Sequence, residues 1–471
     1  MTELWRRSAG ELARMIAARE VSSAEVVDAH LARIEAVNRK VNAVVVVMAD
    51  EARRAAAEAD RKVAAGEPLG PLHGVPCTVK ENIDMAGLAT TSGVRPLEHA
   101  IAPVDAPVVE RMRAAGAIPI GRTNLPDMGL RVHTHSSLRG LTRNPWNLGR
   151  TAGGSSGGEG AALATGMSPI GLGNDIGGSL RNPANACGIA SIRPTLHRVP
   201  DASSMPNGDT RLLAGQLMAV QGPMARRVAD VRLGLKALIG AHPRDPWTVD
   251  MPFEGPALGR PIRVAVVAEP PGGRTDRVIA DVVRKAADVL ANAGYDVVEA
   301  TPPRYAEAVD VWARFLLTDF ALIMNDVTPM MGEGGRTFWL GANRATPPAT
   351  DAASLSAMLV ARDSIAQAWS LFMAEHPLVL TPTWTQLPFE HDADIAEPSG
   401  VADTLELMRA VTHANLLGLP SACVPAGRDA ATGLPVGVLL NGQRMRDDLC
   451  LEAAEAIEAK LGLPTPIDPV G

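Results

Sequence analysis

Two serines on glycine turns and one lysine at the end of an apolar strand are the residues of this 471-residue chain whose types and spacing could do chemistry together. Acyl transfer needs a nucleophile, a base within reach of it, and N–H donors where the oxyanion forms. Ser179 follows Ile176-Gly177-Gly178, and successive backbone N–H groups on such a turn can converge on one oxygen as an anion nest. In a comparable site, removing one such donor costs about 3–4 kcal/mol. Ser155 lies 24 residues upstream, inside Gly153-Gly154-Ser155-Ser156-Gly157-Gly158. No histidine neighbours either cluster, so the base must come from elsewhere. Lys80 ends the apolar run that begins at Val75. It is one of six lysines (Lys40, Lys62, Lys80, Lys236, Lys285, Lys460) in a chain that otherwise charges its surface with arginine. A lysine acts as a base once burial depresses its pKa.

Plainer roles compete for several of these residues. Ser156 suits a helix cap, and Cys187 suits a core thiol. Lys80 taken alone would be a surface lysine laying its stem on apolar neighbours; its spacing to two glycine-serine turns favours the base. Gly153-x-Ser155-x-Gly157 also fits a nucleophile elbow, which needs a later acid and a histidine such as His391 or His413. That alternative leaves Lys80 and the second glycine turn without a role. Neither cluster is a P-loop, and GLGNDIGG misses the dinucleotide spacing.

The elements that must hold these residues follow from the pattern. Gly149–Asn182 carries 11 glycines in 34 residues, too many for one regular element, yet its Leu163, Ile170 and Leu172 do not belong in a flexible linker. Glu159–Thr165 predicts about two turns of helix between the clusters, capped by Ser155 or Ser156. Ser8-x-x-Glu11 and Ser22-x-x-Glu25 are capping boxes opening helices over Ala9–Arg19 and Ser23–Val37. Val41–Met48 predicts a buried strand, and Asp50–Ala65 an exposed helix. Val75–Val79 and Ile118–Ile120 read as strands around a helix at Val108–Ala115, so the chain is α/β with a mainly parallel or mixed sheet. Ala241–Pro261, rich in proline, is a candidate linker. Ile262–Ala268, Arg277–Ala293 and Tyr295–Ala300 read β-α-β. Residues 306–375 are helical and rich in Met, Phe and Trp. Strands at Leu378–Leu380, Ser421–Pro425 and Val436–Leu440 and helices at Asp403–Leu417 and Asp447–Leu461 complete the chain.

Composition narrows the function. A net charge of −7 with no basic run speaks against a nucleic-acid surface. No apolar window is long enough for a membrane span, and the N-terminus lacks a secretory core. Cys77, Cys187, Cys423 and Cys450 are scattered and read as reduced thiols of a cytoplasmic protein. His133 and His135, two apart, are a weak ligand signature, so no metal is expected.

In order along the chain, Gly74-Val-Pro-Cys-Thr-Val-Lys80-Glu-Asn82, Arg143-Asn-Pro-Trp146, Gly153–Gly158 and Gly173-Asn-Asp-Ile-Gly-Gly-Ser179 resemble the amidase signature family. Cys187-Gly188, Arg193-Pro194, Ala414–Pro420 and Gly433–Gly437 extend the resemblance, leaving about 200–375 unspecific. It implies one large twisted mixed β-sheet covered on both faces by helices. The whole of 1–471 is then a single domain, with N-terminal helices over 1–65, the signature core over 66–200, the linker candidate at 241–261 and a helical pocket region over 306–375. It implies Ser179 as nucleophile, Lys80 as general base and Ser155, behind a cis Gly154–Ser155 peptide, as the relay between them. Ile176, Gly177 and Gly178 then donate N–H groups to the oxyanion together with Ser179 itself. Asp175 and Arg181 form a bracing charge pair, and Met128 and Gly154 touch substrate, with His133 and His135 beside them on the pocket wall. The sequence departs from the family at Asn174, where Ser or Thr is usual and where an amide could bond Lys80. It departs also at Thr151-Ala152 and Asn182-Pro-Ala-Asn185.

The implied activity is hydrolysis of small, largely apolar amides through an acyl-enzyme, in the manner of the aryl-acylamidase or urethanase branch, with esters and carbamates also in reach. No cofactor, nucleic acid or membrane is implied, and the chain is expected as a monomer or homodimer. The rival readings are the glutaminase component of a tRNA-dependent amidotransferase and a catalytically dead binding scaffold.

Overall fold

The computed structural model describes residues 3–203 and 211–470. Among these, eleven strands make one mixed sheet. In chain order they are β1 (Val44–Val47), β2 (Pro76–Lys80), β3 (Ile118–Thr123), β4 (Ile170–Asp175), β5 (Ala190–Arg193), β6 (Val220–Ala225), β7 (Arg263–Val266), β8 (Asp296–Glu299), β9 (Leu378–Pro382), β10 (Ser421–Arg428) and β11 (Pro435–Gly442). Their spatial order is β1-β3-β2-β4-β6-β5-β10-β11-β9-β7-β8. The pairs β3–β2 and β2–β4 are parallel on one side, β9–β7 and β7–β8 on the other, and the centre is antiparallel.

Alternation along the strands splits the core into two layers. Cys77, Val79, Ile170, Leu172, Val264, Leu378 and Leu380 face one layer, and Ile118, Ile120, Ala265 and Val379 face the other, as the period of two demands. Helices Pro107–Ala114, Val228–Leu238, Arg277–Asn292 and Asp447–Leu461 cover the first face, and Ser23–Val41, Gly157–Ala164 and Tyr305–Phe320 the second. Both capping boxes form, Ser8 with Glu11 and Ser22 with Glu25.

Three local expectations are corrected. The run Val41–Met48 is not a buried strand throughout. The helix before it continues to Val41, Asn42 ends that helix at φ 52°, and the strand is an edge strand with Val47 exposed. Asp403–Leu417 is two helices, Gly400–Leu407 and Thr412–Leu417. Between them the buried Arg409 turns its guanidinium to Pro270 O and Thr275 Oγ1, and Val411 O accepts from Arg181. The third is the helix between the two serine clusters, which starts at Gly157 with no cap bond from Ser156. Its first N–H groups are already taken, Gly157 N by Thr134 Oγ1 and Gly158 N by Asn124 O. Among the described residues no helix is long and apolar enough to cross a membrane.

Candidate active site

The site sits at the carboxyl ends of parallel neighbours β2 and β4, where open α/β sheets bind ligands. Since Cys77 and Val79 face one layer, alternation turns Thr78 and Lys80 to the opposite face, under helix Gly157–Ala164. Gly171 and Gly173 of β4 share that face. A Cβ at Gly171 would lie 1.8 Å from Glu159 Oε1, and one at Gly173 would lie 2.9 Å from Ser156 Oγ. Two glycines alternating in a strand thus make room for the helix.

Lys80 is fully buried. Its Nζ lies 2.7 Å from Ser155 Oγ and 2.6 Å from Asn174 Oδ1. The Asn174 amide is oriented by donating to Asn82 Oδ1 at 3.0 Å. Burial pulls the amine down to about 7, opposed by the negative charges of Asp175 and Glu159. Burial outweighs these charges, so the amine can lose its proton near neutral pH.

Glu159 carries no sequence motif, and spacing along the chain does not single it out. Its carboxylate accepts from Thr78 Oγ1 and, at 2.8 Å, from Thr123 Oγ1. Burial pushes it up to about 7, against those hydrogen bonds and the charge of Lys80. The signal that could have found it is the Gly171-x-Gly173 pair that accommodates it.

The second serine turn is built on Asp175. Its carboxylate accepts from Gly178 N at 2.8 Å, Leu180 N at 3.2 Å, Arg181 Nε at 3.0 Å and Asn415 Nδ2 at 2.8 Å. Burial alone would push this carboxyl up, but Arg181, Arg193 and Asn415 hold it far below the usual carboxylate range. Gly178 N–H, expected at the oxyanion, is therefore committed to Asp175; Ile176, Gly177 and Ser179 carry the remaining N–H groups of the turn. Gly178 has φ 95°, and at Gly177 a Cβ would meet Trp312 Cζ2 at 2.6 Å. Trp312 Nε1 donates to Ile176 O at 3.0 Å, pinning the turn from the other side.

Asn182, notable in the sequence only as atypical, joins the two turns. Its Nδ2 donates to Gly177 O at 3.2 Å and Gly154 O at 3.4 Å, and its Oδ1 accepts from Trp384 Nε1 at 2.9 Å. The Gly154–Ser155 peptide is cis. Gly154 lies against the backbone of residues 131–133, where a Cβ would come within 2.6 Å of Arg131 O.

Ser179 opens on an apolar cavity of about 120 Å³. Met128, with φ 53°, Leu130, Trp312, Leu316, Phe320, Phe338 and Trp339 line it. Phe315, Met324 and Met331 of the same helical region do not line the cavity but pack behind its walls, Phe315 in the core cluster with Trp312 and the two methionines in the cluster with Trp339.

The plainer roles sort as follows. Cys187 is buried with Sγ 3.4 Å from Ala152 O, and burial pushes its thiol up. His413 packs against Tyr305 and Trp369, and His391 lies by His133, so neither histidine serves Ser155 as the nucleophile elbow would require. Among the described residues one group could hold a metal ion, His133, His135 and Asp392. Spacing does not reveal this group, because the carboxylate beside the two histidines lies 257 residues from His135 in the chain.

Comparison with known proteins places this arrangement. A family model described as Amidase matches residues 25–451. The chain is 41% identical over 463 residues to an indoleacetamide hydrolase of Bradyrhizobium diazoefficiens, with 98% of this chain and 87% of that protein covered. It is 32% identical over 477 residues to an acylamidase of Rhodococcus erythropolis, with 96% and 95% covered. Among solved structures, a bacterial aryl acylamidase of the amidase signature family superposes with a TM-score of 0.81 at 28% identity, covering 98% of this chain and 97% of that one.

Proposed function

This chain belongs to the amidase signature family of amide hydrolases, and on that premise we propose that it cleaves small, largely apolar amides through a Ser179–Ser155–Lys80 relay. The observation that carries the reading is the buried Lys80 amine, 2.7 Å from Ser155 Oγ, together with Ser179 in the wall of an apolar cavity.

In the first half-reaction Ser179 Oγ attacks the substrate carbonyl and passes its proton to Ser155 Oγ, whose own proton moves to the neutral Lys80 amine. The oxyanion is held by the N–H groups of Ile176, Gly177 and Ser179. Return of a proton from Lys80 through Ser155 to the nitrogen lets the C–N bond break, leaving an ester on Ser179. Water then attacks that ester, giving its proton to the same relay, and Ser179 takes a proton back as the acid leaves. Esters and carbamates meet the same requirements, because an alcohol or carbamate nitrogen is also a leaving group that the relay can protonate.

The aromatic and aliphatic cavity walls favour an aryl or alkyl acyl group, as in the arylacetamide for which the Bradyrhizobium relative is named. They argue against glutamine, whose ammonium and carboxylate would lose their water there without charged partners. A glutaminase role inside a multi-chain complex is therefore the weaker reading. The deciding experiment is turnover by the purified chain alone of an arylacetamide, an anilide, an ester, a carbamate and glutamine. Hydrolysis of the first two without ATP or partner is expected. Glutamine as the preferred substrate would overturn the reading, as would failure of a fluorophosphonate to label Ser179.

A further inference from the structure

We propose that His133, His135 and Asp392 form a binding site for one zinc-like divalent ion, outside the catalytic cluster. His135 Nδ1 lies 3.2 Å and His133 Nε2 3.6 Å from Asp392 Oδ1, and the three ligand atoms lie within 4.8 Å of one another. An ion about 2.0–2.2 Å from nitrogen and oxygen ligands spans tetrahedral edges of about 3.3–3.6 Å. Two edges are already close to that length, and rotation of the part-exposed His135 ring closes the third.

Two further observations point to a ligand. His133 is fully buried, its Nδ1 is 2.9 Å from Thr151 Oγ1, and its Nε2 is buried with no hydrogen-bond partner while facing a carboxylate. His391 lies against it, ring centroids 5.4 Å apart. His391 Nε2 donates to Leu148 O at 2.8 Å, because a carbonyl can only accept, and in the neutral ring Nδ1 is then the lone-pair nitrogen. That Nδ1 is also buried without a partner. A buried imidazole nitrogen without a partner, facing a carboxylate and held by a bond to its other nitrogen, is a donor of the kind zinc uses.

The charges are compatible. Arg131 also bonds Asp392 Oδ1, at 2.8 Å, but its charge is met by the buried Asp394, which accepts from Nε at 2.9 Å and from the same terminal nitrogen at 2.6 Å. The Asp392 charge is left for the ion, with Arg131 orienting the carboxylate. An open cleft of about 460 Å³ reaches His135 and Asp392 and gives the ion a way in. Bound there, it would tie residues 131–135, which flank Gly154, to the loop carrying His391 and Asp392. This makes it a brace for the serine turn without touching substrate.

The test is titration of chelator-treated full-length protein with Zn²⁺ and Co²⁺. One equivalent of Co²⁺ with the intense visible absorption of tetrahedral coordination is expected, and Zn²⁺ should displace it and raise Tm. His135→Ala and Asp392→Asn, both at part-exposed side chains, should each weaken binding at least tenfold and abolish the Tm rise while the chain still folds. Equal binding by wild type and either variant, or no saturable binding by wild type, would overturn the site.

Discussion

Asn174 Oδ1 stands 2.6 Å from Lys80 Nζ, as close as the serine hydroxyl that the lysine is proposed to serve. An acceptor at that distance favours the ammonium over the amine, and so works against the burial that pulls Lys80 down to about 7. A base must be neutral to act. We therefore expect kcat/KM of the wild type to rise tenfold per pH unit below about 7 and to level above it. Asn174→Ala removes the acceptor and should carry this limb downward by about one pH unit. A pH–rate profile of the two proteins checks it, and an unmoved limb would reduce Asn174 to a packing role.

Removal of the relay should separate amides from esters. Ser179→Ala is expected to abolish turnover and fluorophosphonate labelling. Lys80→Ala should cost about 10²–10⁴ in kcat near neutrality. Ser155→Ala should be as severe on amides but milder on activated esters, because an alkoxide leaves with less help from a proton than an amine does. Parallel assays on an anilide and its ester analogue read the difference directly.

Glu159 ties stability to pH. Its folded-state pKa is raised from 4.5 to about 7, so the folded protein holds this proton more tightly than the unfolded chain. The contribution is favourable below 4.5 and is lost as pH rises through 7. Glu159→Gln should leave stability near pH 5 little changed and raise it at pH 8, by up to the order of 3 kcal/mol. It should also lower the acid limb of activity, since the Glu159 charge holds the Lys80 proton. Denaturant melts at both pH values, with the rate profile, provide the check.

Asn182→Ala should loosen both turns at once. It removes the donor shared by Gly154 O and Gly177 O and leaves the buried Trp384 Nε1 without its acceptor. We expect a loss of about 1–3 kcal/mol in stability. We also expect kcat to fall tenfold or more with KM changing little. A change confined to KM would argue that the bridge serves binding and not the geometry of the serines.

In the cavity, Phe338→Ala takes apolar surface from the lining. About tenfold higher KM for an arylacetamide is expected, with kcat nearly unchanged and acetamide unaffected, the pattern of lost uniform binding.

Chain order and chemistry made much of this legible. The helices, the strand ending at Lys80 and the glycine turns bearing Ser155 and Ser179 are local features, since φ angles, capping and apolar period depend on near neighbours. The resemblance added the family and the implied roles. Glu159, the Asn182 bridge and the pairing of His133 with Asp392 were not legible in this way, because each depends on contacts between segments distant in the chain.

Residue types alone therefore determined that a lysine and two serines were available on rigid backbone, and that the chain folds as α/β. Tertiary structure decided which face of β2 Lys80 occupies and how dry its surroundings are. It also committed Gly178 N–H to Asp175 and left Trp312 and Phe338 to line the cavity. The reason is physical: proton affinity and hydrogen-bond commitment depend on what is packed within a few ångströms, and for these groups the neighbours arrive from strands and helices far away in the sequence.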